Sequence, residues 1–262
     1  MKIALTAGFD KSLPALLMAE GLRARGHEVV GVVVVSPFTV SRLRETIASK
    51  GLSGLQKAVG KLLRGVESNT ASQRPNPLEG MAAAQSLTTR SLKAWCTEHS
   101  VPYHSVKSIN GPDAVSAVSD ADALVYGGGG ILRSALIGAV DGHVINPHCG
   151  PLPEIRGMNA IEWATLLGAE QAITVHFIDQ GIDTGGILER VPVATDSDFT
   201  VADLRAEAVA TGVRAVLELL PTDAALDSLT VTANPGRDAG RQCYTMSPAV
   251  LELLESRLKQ AT

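Results

Sequence analysis

Two runs rich in Val, Ile and Leu, Lys2 to Ala7 and Glu28 to Val35, constrain this sequence more than anything else in it. Both have strand length, and neither shows the alternation of a strand with one face in water, so both faces of each must be buried. Between them, Leu13, Leu16, Leu17 and Leu22 recur at helical spacing within Ser12 to Arg25. A strand, a helix and a second strand in that order make a βαβ unit. The unit predicts an α/β protein whose sheet is mostly parallel, with helices on both faces.

The same rhythm continues along the chain. A helix is expected over Leu87 to His99, a short strand over Tyr103 to Val106, a turn at Asn110-Gly111-Pro112, a helix over Ala114 to Val118 and a strand over Ala123 to Tyr126. Strands at His143 to Asn146 and Ile173 to Ile178 enclose a helix from about Asn159 to Leu167. Val201 to Leu219 reads as a long helix with Thr200 as its N-cap. Beyond Pro221 come a strand over Leu229 to Thr232 and a closing helix over Pro248 to Gln260. Residues 1–220 are therefore expected to form one domain, and residues 221–262 a short C-terminal extension of strand plus helix.

Composition removes several function classes. The chain has 262 residues, 45% hydrophobic, which is enough to bury a full core. A formal net charge of -4 and an aromatic content of 3% argue against a general nucleic-acid binder. No apolar stretch approaches the roughly 20 residues of a membrane-spanning helix, so no membrane partner is expected. Met1 to Ala7 runs straight into Gly8, Asp10 and Lys11 without the apolar core of a signal peptide, and a cytoplasmic location is expected. Cys96, Cys149 and Cys243 are odd in number and far apart, which reads as reduced thiols rather than a disulfide framework or a zinc site. The basic stretch from Thr39 to Val66, with Arg42, Arg44, Lys50, Lys57, Lys61 and Arg64, has two readings: a solvated helical face, or a cap that holds an anionic substrate near the active site. Ser68 to Asn76 reads as a surface loop.

Chemistry concentrates in three segments that follow apolar strands, where open α/β sheets place their sites. These are Tyr126 to Leu132 with its four glycines, Asn146 to Pro153, and Ile178 to Gly185. The glycine run misses the dinucleotide fingerprint, because its third required glycine falls on Leu132 or Arg133. Asn146 and His148 are two apart, so on a continuing strand both side chains project to one side. An amide donor and an imidazole facing one cavity suit acyl transfer, in which the oxyanion formed must meet a donor or a cation. Asp183, in a glycine-flanked turn, can supply the carboxylate that favours a charged imidazole. His143 and His176 lack such company and read as packed strand residues. Cys149 has no separate base beside it, so it is not taken as a nucleophile.

The ordered set Asn146-x-His148, Leu152-Pro153, Arg156-Gly157, Trp163-Ala164, Thr174-Val175-His176 and Gly181-Ile182-Asp183-Thr184-Gly185 resembles the signature of the folate-dependent formyltransferases. That family includes glycinamide ribonucleotide transformylase, methionyl-tRNA formyltransferase and sugar N-formyltransferases, and the resemblance covers roughly residues 1–220. It implies a Rossmann-like formyltransferase fold, 10-formyltetrahydrofolate as co-substrate and no metal. It also implies roles: Asn146 on the formyl oxygen, His148 on the oxyanion and the moving proton, and Asp183 orienting His148 and a water. Folate contacts are implied at Gly129, Gly130, Ile131 and Leu132, and at Ile178, Asp179, Gly181 and Ile182, mostly through backbone groups. Arg156 and Gly150 are candidate acceptor contacts, Arg156 either as an anion anchor or as a brace for its loop. Where family members often carry Ser-Leu-Leu-Pro, this chain has Gly150-Pro151-Leu152-Pro153 and so lacks that hydroxyl.

The acceptor is expected to be a small-molecule primary amine. Methionyl-tRNA enzymes normally add a sizeable basic C-terminal domain, and purine-pathway enzymes are usually shorter between the second strand and the glycine loop. Both cues favour an amino sugar or another specialised amine over a glycinamide ribonucleotide transformylase. A hydrolase releasing formate and an inactive folate-binding module are the rival readings. The oligomeric state stays open, with a homodimer among the options.

Overall fold

A computed structural model of the chain describes residues 1–36, 74–222 and 225–260. The basic stretch at 39–66 and residues 68–73 of the expected loop lie outside the described residues. The elements are β1 (Lys2–Ala7), α1 (Leu13–Ala24), β2 (Glu28–Val35), α2 (Pro77–Ala84), α3 (Leu92–Glu98), β3 (Tyr103–Val106), α4 (Pro112–Val118), β4 (Ala123–Gly127), α5 (Ser134–Gly138), β5 (Val144–His148), β6 (Ile155–Gly157), α6 (Ala160–Leu167), β7 (Ala172–Phe177), β8 (Ile187–Pro192), α7 (Val201–Leu219), β9 (Arg241–Cys243) and α8 (Pro248–Gln260).

Among the described residues, seven strands form one sheet in the order β3-β2-β1-β4-β5-β7-β8. The first five are parallel, and β7 and β8 run antiparallel to their neighbours. Both faces are covered, as the continuous apolar strands demanded. Ile3, Leu5, Val32 and Val34 pack with α1, α2, α3 and α7 on one face, while Ala4, Val33 and Val35 pack with α4 and α5 on the other. The mostly parallel α/β architecture with helices on both faces is therefore observed.

Local chemistry accounts for the element ends. Ser12 caps α1 by accepting the Ala15 amide at 3.5 Å, with Pro14 in the first turn. Thr200 and Asp203 form a reciprocal capping box at the start of α7. The helix expected from Leu87 begins only at Leu92, because the Ser91 hydroxyl accepts the Ala94 amide and donates to Asp10, fixing the cap there. Elements α2, α5, β6 and β8 were not expected from periodicity.

The C-terminal region departs from expectation. Leu229 to Thr232 is not a strand; it contributes a single antiparallel bridge, Thr232 to Ile187. The strand of this region is β9, which pairs in parallel with β6 in a separate two-stranded sheet. Helix α8 forms as expected and buries Leu254 against Val201 and Met246.

Candidate active site

Strand β5 carries Asn146 and His148 to the edge of its parallel neighbours, and antiparallel β7 lies in register beside it, with Asn146 opposite His176 and His148 opposite Thr174. Residues facing across an antiparallel pair share one side of the sheet. The loop after β7 then returns Asp183 to the same place. His148 Nδ1 lies 3.5 Å from Asp183 Oδ2, and His176 Nε2 lies 3.7 Å from Asp183 Oδ1. Asn146 Nδ2 is 2.9 Å from His176 Nε2. Asn146, His148 and Asp183 are thus brought together, and His176, read from sequence as a packed strand residue, joins them.

Hydrogen bonds define which ring nitrogens carry protons. A backbone carbonyl can only accept, so His176 Nδ1 donates to Phe177 O at 2.7 Å. Its bare Nε2 then accepts from Asn146, which sets the amide with nitrogen toward His176 and leaves one N–H free. Burial, helped by the neighbouring His148, pushes the His176 pKa from 6.5 down to about 4, which keeps this ring neutral. His148 Nε2 likewise donates to Ile155 O at 3.0 Å, leaving Nδ1 as the nitrogen that faces Asp183. The 3.5 Å gap is longer than a direct hydrogen bond and leaves Nδ1 open to a reacting group.

Asp183 adopts φ +53°, in the left-handed region uncommon for a residue with a side chain. Several contacts hold it. Gly157 N donates to Asp183 Oδ2 at 2.7 Å; Asp179 Oδ1 accepts from Gly181 N and from the Thr184 hydroxyl; and Arg156 reaches Ile182 O at 3.4 Å. Arg156 is buried, and Gly150 packs under His148, where an added Cβ would come within 2.9 Å of Nε2.

A cavity of about 550 Å³ opens on His148 and Cys149. Its walls are largely apolar, with Phe9, Leu78, Ile161 and Val209 among them, and its charged residues are Glu162 and Arg205. Arg205 Nε bonds the buried Glu162 carboxylate at 2.6 Å, and Asn159 donates to the same oxygen. Sequence reasoning missed this pair, since nothing in the spacing of α6 and α7 announces that they meet. Burial, and secondly Glu162, push the Cys149 thiol up to about 12, so it is protonated at neutral pH.

The glycine turn lies on the other side. Gly128, Gly129 and Gly130 all have positive φ, a path open to glycine, and the Tyr126 hydroxyl donates to Gly130 O at 2.9 Å. Asn110 braces Ile131 O and the Arg133 amide. Ile131 is exposed, whereas Leu132 is buried in the core with Leu136, so only the backbone of Leu132 is available to a ligand. Ile178 packs at the edge of that same core, which brings the glycine turn and the turn before Asp183 toward each other. Burial, and to a lesser degree Asp183, raise the Tyr126 pKa. Among the described residues, no group of three or more His, Cys, Asp or Glu side chains is placed to hold a metal ion, and no helix is long and apolar enough to cross a membrane.

Residues 105–220 match the family described as Formyl transferase, the family whose motifs the sequence resembles. A methionyl-tRNA formyltransferase from Paramagnetospirillum magneticum is 34% identical over 153 residues, covering 57% of this chain and 49% of that protein. The chain spans about half the length of the curated relatives it matches. Among solved structures, a sugar N-formyltransferase from Shewanella has a TM-score of 0.56 at 12% identity, covering 98% of this chain and 87% of that one. A phosphoribosylglycinamide formyltransferase from Bacillus halodurans has a TM-score of 0.53 at 17% identity, covering 84% and 93%. At such identities the structures speak for the shared fold.

Proposed function

We propose that this protein transfers a formyl group from 10-formyltetrahydrofolate to a primary amine. The observation that carries the reading is the convergence of an amide, an imidazole and a carboxylate at the junction of β5, β7 and the Asp183 loop. In the reaction, the neutral amine attacks the formyl carbon, a new C–N bond forms, and the bond from that carbon to N10 of the folate breaks. One proton leaves the amine and one arrives at N10. The free N–H of Asn146 and a proton on His148 Nδ1 stabilise the oxyanion. Asp183, across from Nδ1, orients the ring, and His148 takes the proton that leaves the amine and carries it toward N10. His176 sets the Asn146 amide so that a donor faces the carbonyl.

Folate fits the side where the glycine turn, Ile131 and the Asp179 to Ile182 turn offer backbone groups. The acceptor fits the cavity beside His148, whose volume suits a small molecule. An amino sugar, free or nucleotide-linked, is the acceptor class favoured by the sequence. The relatives by sequence are named as methionyl-tRNA enzymes, so that acceptor belongs in the test as well.

The test is tetrahydrofolate release from 10-formyltetrahydrofolate against amino sugars, nucleotide-linked amino sugars, glycinamide ribonucleotide and methionyl-tRNA. Turnover that requires one of these amines is expected, with an amino sugar preferred. Formate release without any amine would identify a hydrolase, and donor binding without turnover would identify a binding module; either would overturn the proposal.

A further inference from the structure

Asp183 sits in a left-handed conformation within a loop that has its own backbone carbonyls to satisfy. Two of them, Asp183 O and Gly185 O, accept from the Nδ2 group of Asn234, at 3.2 and 3.0 Å. One amide nitrogen has two N–H bonds, so each carbonyl takes one. The other end of the same amide is also held, since Gly236 N donates to Asn234 Oδ1 at 2.9 Å. Asn234 therefore has little freedom to turn.

Its neighbours contact the same loop. Thr232 exchanges two backbone hydrogen bonds with Ile187, at 2.7 and 2.9 Å. An added Cβ on Gly186 would meet Val231 within 2.5 Å, and one on Gly236 would touch Thr184. Further on, β9 pairs with β6, whose Gly157 amide holds the Asp183 carboxylate. Residues 231–243 thus reach Asp183 twice, at its backbone through Asn234 and at its side chain through β6. All of them lie beyond residue 220, where the match to the family ends.

We propose that this segment is a strap belonging to the catalytic apparatus, and that Asn234 is a positioning residue that fixes the Asp183 carboxylate opposite His148. The inference rests on the reading of Asp183 given above. Asn234 touches neither substrate nor reacting atoms; it acts through the loop. A carboxylate displaced by an ångström costs about a hundredfold in rate, and the strap prevents that displacement.

Asn234→Asp removes both N–H donors while keeping the shape and the acceptor for Gly236, and Asn234→Ala removes the side chain. With the 262-residue chain, 10-formyltetrahydrofolate and the amine of the panel turned over fastest, both variants should lose about ten- to a hundredfold in kcat. KM for donor and amine should stay within about twofold, since ground-state binding is untouched. In an Asp183→Asn background the same changes should add less than about twofold, because residues acting through one group are not additive. Amide hydrogen exchange supplies a readout free of activity: the Gly157 amide, bonded to Asp183, should exchange faster in Asn234→Asp.

Four results separate the possibilities. If Asp183→Asn retains full turnover, the reading of the site fails and the inference with it. If Asp183→Asn is impaired while Asn234→Asp keeps kcat within twofold, the strap alone is refuted. Unchanged exchange at Gly157, or full additivity in the double variant, refutes it equally.

Discussion

Replacing Asp183 by Asn removes a negative charge and little else, since the amide has the same size and its oxygen can still accept the Gly157 N–H. At 3.5 Å from His148 Nδ1, a full charge pair is worth about 5 kcal/mol at an effective dielectric of about 20, and about 1 kcal/mol in bulk water. The side chains are only 7% and 16% exposed, which places the pair near the first figure. The ring acquires its charge partly in the transition state, so about half to most of that energy, roughly 2.5 to 4 kcal/mol, acts on the barrier. At 1.36 kcal/mol per factor of ten, this is a loss of about a hundred- to a thousandfold in kcat. Tetrahydrofolate release at saturating donor and amine measures it, with donor affinity measured separately by calorimetry and expected to change by less than about twofold. A variant that keeps kcat within about fivefold of the parent would refute the role of this charge.

Other consequences follow from the same geometry. His176 stays neutral in the folded protein down to about pH 4, whereas in the unfolded chain it protonates near 6.5. The unfolded state therefore binds the extra proton first, and stability should fall as pH drops from about 6.5 to 4, by a few kcal/mol in all. Urea midpoints for His176→Asn should lack that part of the decline, and parallel pH curves for parent and variant would contradict it. With its pKa pushed to about 12, the Cys149 thiol should alkylate more than about a thousandfold slower at pH 8 than an ordinary cysteine, read by peptide mass spectrometry. Cys149→Ala should retain kcat within a few-fold, and loss of turnover would return the thiol to the mechanism.

How far the sequence spoke depended on whether the determining interactions are local. Burial on both faces is written into continuous runs such as Val32 to Val35, so the central sheet and its flanking helices were legible. Asn146 and His148 sit two apart on one strand, and strand periodicity alone puts them on one side. His176 was not legible, because its place beside Asn146 depends on the register of β5 against β7, a long-range pairing with no trace in local spacing. The start of α3 was misplaced for a similar reason: Asp10, 81 residues from Ser91, helps fix its cap. Likewise β6 and β9 are three-residue strands that exist only because they meet each other. Asn234, in a stretch without periodicity, gave no sign of its two carbonyl partners.

The reversal of chain direction at β7 also bears on which changes this protein can absorb over generations. Adding or deleting one residue within β7 would turn its side chains to the opposite face, carrying the His176 imidazole away from the Asn146 amide and exchanging it for Val175 or Phe177. Surface connections such as the stretch between β8 and α7 face no such parity rule. Length variation among descendants of this chain should accordingly collect in those connections, with the spacing from Thr174 to His176 held constant.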